Sequence, residues 1–162
     1  MIKINMDYII RKLNADEYDI LKDFLYEAIF IPEGIPAPPK DIINKPELQV
    51  YISDFGRRKG DTALCAEADG KIVGAVWVRI MDDYGHIDNE TPSFAISLYK
   101  EYRGLGIGTA MMKEVLDILR KSGYKRASLA VQKKNYAVKM YLKVGFETVD
   151  ENDEEYIMLC RL

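Results

Sequence analysis

Apolar and polar positions follow two rhythms along this chain, and the switches between them mark its elements. The run MDYIIRKLN (Met6–Asn14) reads as a first strand. Asp16 is placed to cap a helix over DEYDILKDFLYEAIF, in which Tyr18, Leu21, Leu25, Ala28 and Ile29 fall near helical spacing. IPEGIPAPPK (Ile31–Lys40) holds four prolines and a glycine, so it is a stiff loop. Pro46 opens a second, short helix, PELQVYISDFG, which closes near Gly56, and RRKGD is a solvated link.

The pattern then turns strand-like. In TALCAEADGKIVGAVWVRIM the pair Asp69-Gly70 separates two such runs, a strong hairpin signal. The second run, Ile72–Met81, is apolar on both faces, as a central strand is. A polar loop, DDYGHIDNETP, leads to a strand over Ser93–Tyr99. Three glycines follow (Gly104, Gly106, Gly108), and a helix starts behind them. Its apolar stripe is Ile107, Met111, Val115, Ile118 and Leu119, and Gly123 ends it. Lys125–Gln132 is a strand. Asn135 begins a short helix that Gly145 stops, with Phe146 positioned for the apolar contact of a Schellman cap. FETVD and EYIMLCRL form a closing hairpin through ENDE.

The resulting order is β-α-α-β-β-β-α-β-α-β-β. Neighbouring strands together with two β-to-α crossovers predict an α/β (α+β) fold with a mixed sheet and helices on its faces. No internal repeat interrupts it, and a chain of 162 residues fits a single domain over 1–162.

Composition narrows the function classes. Apolar residues are 48% and charged residues 30%, the balance of a globular protein, and the net charge of -3 argues against a nucleic-acid partner, which needs a basic face. No apolar run reaches the length of a membrane span, and MIKINMDYIIRKLN lacks the apolar core and cleavage site of a signal peptide. The expectation is therefore a cytoplasmic protein with no membrane partner. Cys65 and Cys160 lie in apolar runs and read as buried, reduced thiols. His86, the one histidine, sits in a polar loop without neighbours for a metal site, and no metal is expected.

The glycine cluster carries the chemistry. Glycine is costly to order and weakens a helix start, so EYRGLGIGTAMMKEVL needs either a tight turn or the close approach of a ligand. We favour the second. A strand running into glycine-rich backbone and then into a helix offers unpaired N–H groups and the positive end of a helix dipole to a phosphate. The Walker A pattern is absent. The dinucleotide pattern fails too, because its third glycine falls on Thr109.

Arg/Gln-x-x-Gly-x-Gly/Ala does fit, on Arg103, Gly106 and Gly108. With it stands NYAVKMYLKVGF, which matches Asn-x-Ala-x-x-x-Tyr-x-x-x-Gly-Phe at Asn135, Ala137, Tyr141, Gly145 and Phe146. On these two signatures the chain resembles the GNAT superfamily, the Gcn5-related N-acetyltransferases, and the strand order resembles that fold almost from end to end. The resemblance implies a mixed, mostly antiparallel sheet of about seven strands with about four helices. It implies acetyl-CoA as acyl donor, with CoA as product. The diphosphate would lie on Arg103, Gly104, Leu105, Gly106, Ile107, Gly108 and Thr109, and the pantetheine arm would pair with the backbone of Ile96, Ser97 and Leu98. An N–H near Leu98 would stabilise an oxyanion. Tyr141 would protonate the leaving thiolate, where its plain alternative is an aromatic packing the helix on the sheet. Asn135 would bond the pantetheine or cap its helix.

The acceptor end is less determined. Many members of the family carry a base on the strand before the loop; here that strand has no carboxylate. Glu90 is the candidate, with Asp88 or bulk solvent as alternatives. Asp82, Asp83, Asp88 and Glu90 either steer a cationic amine or decorate the surface. The acceptor, a small-molecule or peptide amine, would be chosen by the variable stretch Phe30–Pro46. The leading expectation is an N-acetyltransferase. The rival is a non-catalytic CoA- or acyl-CoA-binding module of the same fold, and a third reading is a domain with a decayed site. A homodimer through an exposed sheet edge is compatible with the family resemblance.

Overall fold

A computed structural model describes residues 7–162, and Met6, the expected start of the first strand, lies outside them. Seven strands form one sheet: β1 (Ile9–Lys12), β2 (Thr62–Ala68), β3 (Lys71–Arg79), β4 (Ser93–Leu98), β5 (Arg126–Gln132), β6 (Phe146–Glu151) and β7 (Glu155–Arg161). Their order across the sheet is β1-β2-β3-β4-β5-β7-β6. Only β4 and β5 run parallel; every other neighbouring pair is antiparallel. The mixed, mostly antiparallel sheet is the one expected. The helices are α1 (Leu21–Glu27), α2 (Pro46–Gln49), α3 (Ile107–Lys121) and α4 (Ala137–Val144).

Period-two alternation divides the core into two layers. Leu64, Ala66, Val76, Val78, Phe94 and Leu98 face α3 and α4, while Ala63, Cys65, Ala75 and Trp77 face α1 and the segment around α2. The hairpin between β2 and β3 turns at Asp69 and Gly70, both at positive φ (53° and 74°), as a type I′ turn requires. α3 buries Ile107, Met111, Met112, Val115, Leu116 and Leu119. Ile118 is only partly buried, so the stripe is turned slightly from the one read in the sequence. Gly145, at φ 113°, ends α4, and Phe146 packs behind it against Tyr141 with ring centroids 6.0 Å apart.

Three boundaries differ from the sequence reading. The first helix starts at Asn14 rather than Asp16, because the Glu17 carboxylate accepts the Asn14 N–H at 2.9 Å. Its first six residues, Ala15–Ile20, are 3₁₀, and α1 follows. A further 3₁₀ turn, Lys40–Asn44, stands at the end of the proline-rich stretch. The second helix keeps regular α geometry only to Gln49 and continues as turns.

Two buried polar links hold this segment on the sheet. Arg79 and Asp61 form a fully buried bidentate pair at 3.1 and 2.8 Å. Arg79 Nη1 also donates to the carbonyls of Val50 and Ser53, and Trp77 Nε1 donates to the Tyr51 carbonyl at 3.0 Å. With its donors paired in this way, the buried guanidinium fixes the backbone on both sides of Tyr51.

Candidate active site

The sheet opens where its one parallel pair begins. β4 and β5 are paired only at Ser93 and Ser128, next to the Ser128 N–H donating to the Pro92 carbonyl at 3.0 Å. Beyond that point the strands diverge, and Ala95–Leu98 face Leu129–Gln132 across a cleft of 850 Å³. A split sheet exposes main-chain groups that a continuous sheet would pair. Tyr99 N–H donates to the Val73 carbonyl at 3.0 Å, so Gly74 and Leu98 are a non-hydrogen-bonded pair. The N–H groups of Leu98 and, two residues earlier, Ile96 therefore point away from β3 and into the cleft. Ser97 is different. Its N–H turns towards β3, and its hydroxyl donates to the Phe24 carbonyl at 2.6 Å, tying α1 to the sheet.

The glycine loop closes one end of the cleft. Gly104 and Gly106 have φ of 75° and 87°, so the tight turn is real; yet a Cβ at either would meet nothing within 4 Å, so their backbone is also open to approach. Both demands considered for the glycine cluster hold together. Gly108 lies in the first turn of α3, where a Cβ would come into contact with Met140 Sδ of α4 at 3.4 Å. The first intrahelical bond of α3 runs from the Ala110 N–H to the Gly106 carbonyl at 3.1 Å. The amides of Ile107, Gly108 and Thr109 thus stand ahead of the helical ladder, at the positive end of its dipole. Such amides, next to an open loop, suit a diphosphate.

Of the residues singled out in the sequence, Ile96, Ser97, Leu98, Arg103, Gly104, Gly106, Gly108, Thr109, Asn135 and Tyr141 all line this cleft. Leu105 points outward and is exposed, and the Ile107 side chain is buried in the core, so these two offer main chain only. Arg103 is already engaged. Its Nη2 bonds the Glu27 carboxylate at 3.0 Å and its Nε bonds the Leu98 carbonyl at 2.9 Å. It staples the loop to α1 and to the end of β4. Asn135 Oδ1 accepts the Ala137 N–H at 2.9 Å, a turn that leads into α4, whose N-cap position is Tyr136.

Tyr141 is 8% exposed and packs edge-on against Phe94 and Phe146. Burial pushes its phenol above the ordinary value, which keeps the proton on the oxygen at neutral pH and makes it a weaker acid than a free phenol. Glu90 is exposed, and it is not among the residues that line the cleft. It sits in a turn that Asp88 organises: Asp88 accepts the Glu90 N–H at 2.9 Å and pairs with Arg126. The turn leaves Glu90 in solvent and holds Asp88 on Arg126. His86 is in the loop as read, beside a shallow pocket with Arg58 and Asp82 and outside the main cleft. Cys65 and Cys160 are buried and free.

Several cleft residues carried no sequence signal. Glu27, Tyr51, Lys100 and Glu155 line it; Phe30, Ile31, Pro32, Ile35 and Ala37 also line it, and they belong to the variable stretch already singled out in the sequence. Burial, with Glu154 second, raises the Glu155 carboxyl above the ordinary range. Among the described residues no cluster of His, Cys, Asp and Glu is placed to hold a metal, and no helix is long and apolar enough to cross a membrane.

This geometry is matched by comparison with known proteins. A model of the acetyltransferase (GNAT) family matches residues 23–146, and the chain belongs to that family. It is 34% identical over 101 residues to the probable N-acetyltransferase san of Drosophila melanogaster, covering 60% of this chain and 53% of that protein. It is 35% identical over 101 residues to N-alpha-acetyltransferase 50 of Danio rerio, covering 60% and 58%. The chain thus spans about half the length of these relatives. The fold is that of the PaiA N-acetyltransferase from Thermoplasma acidophilum, solved in complex with coenzyme A, with a TM-score of 0.71 at 22% identity over 97% of this chain and all of that one.

Proposed function

We propose that the chain is an acetyl-CoA-dependent N-acetyltransferase acting on a primary amine, whether of a small molecule, a peptide N-terminus or a lysine. One observation carries the reading. A single cleft gathers the unpaired amides at the start of α3, the inward N–H groups of Ile96 and Leu98, and the Tyr141 side chain. Acetyl-CoA supplies an activated acetyl thioester. The chain does the rest. The amides of Gly104–Thr109 hold the diphosphate, and the N–H groups of β4 align the arm like an added strand. The Leu98 N–H faces the charge that develops on the carbonyl oxygen when the amine attacks. Tyr141 gives its proton to the departing sulfur. The work of this site is to orient both partners and to place one donor and one acid.

The test is thiol release from acetyl-CoA in the presence of pooled polyamines, amino acids, aminoglycosides and short peptides. Release that depends on one pool, and falls by roughly 10²–10⁴-fold in Tyr141→Phe with acetyl-CoA affinity kept within about twofold, is the expected result. Tight acetyl-CoA binding without amine-dependent release would instead make the chain a binding module.

A further inference from the structure

One acidic group of the β3–β4 loop behaves unlike the others. Asp82 and Glu90 are exposed and Asp88 pairs with Arg126, but Asp83 turns inward. Ser93, the first residue of β4, donates its hydroxyl to Asp83 Oδ1 at 2.8 Å. Asp83 Oδ2 is buried and has no hydrogen-bond partner among the described residues. The Tyr51 phenol lies close to this carboxylate without a hydrogen bond to it, and Tyr51 lines the cleft. Its backbone is pinned by Trp77 and, on either side, by Arg79. The other titratable groups close to the Tyr51 phenol are Glu155 of β7 and Tyr84 of the loop; Asp83 itself faces Ser93, Tyr51 and the backbone of Gly85. Holding Ser93 alone does not require a buried carboxylate, since a neutral amide would accept the same hydrogen bond. A half-satisfied carboxylate inside a protein lowers stability, and such groups concentrate where they do chemistry.

Resting on the acetyltransferase reading above, we propose that Tyr51 and Asp83 form the path that takes the proton from the acceptor amine. An N–H bond of the ammonium breaks and its proton passes to the Tyr51 oxygen. The phenol's own proton passes to Asp83 Oδ2, so a carboxylate becomes a carboxylic acid and the phenol is restored. The freed lone pair on nitrogen attacks the thioester carbonyl. After the amide leaves, Asp83 returns its proton to solvent. Burial pushes the Asp83 carboxyl above the ordinary carboxylate range, which narrows the gap to an amine and makes it a better base. Asp83 acts through Tyr51 and so is a positioning and proton-holding residue. Tyr51 is the group that meets the substrate, and the pair takes the place first assigned to Glu90.

The test uses Asp83→Asn, Tyr51→Phe, their double variant and Glu155→Gln. The acceptor is whichever of the pooled amines gives the most thiol release with the parent chain. Each of the first two is expected to lower kcat/KM about 100-fold at pH 7. The double variant should lose no more than about threefold beyond either single, because one path is broken. The deficit should shrink as pH rises towards 9.5, where free amine reaches the cleft without help. Acetyl-CoA affinity should stay within twofold, and Asp83→Asn should melt no lower than the parent. An Asp83→Asn chain within threefold of the parent with the same pH profile would overturn the proposal, as would a deficit equal at pH 7 and 9.5. A pH-dependent loss in Glu155→Gln but not in Asp83→Asn would do the same. Should Asp83→Asn not fold, a parental pH profile in Tyr51→Phe overturns it. A parent that releases no thiol with any pool fails the acetyltransferase reading itself, and this one with it, whereas an active parent with indifferent variants fails only this one.

Discussion

The two ends of the cleft are built in different ways. The donor end is main chain: three glycines, the first amides of α3 and the backbone of β4. The acceptor end is side chain: Tyr51 from the turns after α2, Glu155 from β7, and the apolar residues of the proline-rich stretch, with Asp83 of the β3–β4 loop behind Tyr51. A backbone site tolerates change in most side chains but not in its φ angles or its register. A side-chain site can be re-aimed by single substitutions without touching the fold. On the acetyltransferase reading, the donor end would set the reaction and the acceptor end what it is done to.

Substitutions confined to one end should leave the other unaffected. The largest effect is expected from Gly106→Val. The left-handed conformation at Gly106 costs a β-branched residue at least about 1–2 kcal/mol, and the side chain would fill the open face of the loop. Acetyl-CoA affinity, read by calorimetry, should fall about tenfold or more, with the ranking of amines unchanged. A change in that ranking would join the two ends. A smaller effect is expected from Glu27→Gln. Glu27 holds Arg103 by a half-exposed ion pair, worth about 0.2–1 kcal/mol. Releasing the guanidinium towards a bound diphosphate should tighten acetyl-CoA about two- to fivefold; weaker binding would mean that the staple matters more than the charge.

The smallest effect is thermal and belongs to the acceptor end. Burial raises the carboxyls of Asp83 and Glu155. Between the ordinary carboxylate value of about 4 and the raised native values, the folded chain holds more protons than the unfolded chain, so stability falls as pH rises. Below that window both states are protonated and the penalty is absent. Glu155→Gln should flatten this fall, raising the melting temperature at pH 8 relative to pH 4 by roughly 1–2 °C. A steeper fall would assign Glu155 to a stabilising pair.

Legibility in the sequence follows the same division. The Asp69-Gly70 turn, the start and stop of α3, and the Asn135–Phe146 signature are local, since turn chemistry and helical periodicity act over a few residues. The glycine loop and the start of α3 are such local features and could be read from the chain, whereas Ile96–Leu98, Asn135 and Tyr141 are reached through the resemblance to the GNAT family. The first helix misled because a carboxylate three residues on, Glu17, moved the cap to Asn14. The splay of β4 from β5 depends on pairings between residues more than thirty apart, which no local pattern records. The inward turn of Asp83 is set by Ser93 and Tyr51, on other elements, and in the string DDYGHIDNE nothing separates it from its exposed neighbours.

The central claim is that the gap between β4 and β5 is where the acyl donor lies. A crystal structure of the chain grown with CoA tests it most directly. The diphosphate is expected on the amides of Gly104–Thr109, the pantetheine arm bonded to the main chain of Ile96 and Leu98, and the sulfur beside the Tyr141 hydroxyl. A CoA molecule bound elsewhere, or a sulfur remote from Tyr141 and Leu98, would contradict it.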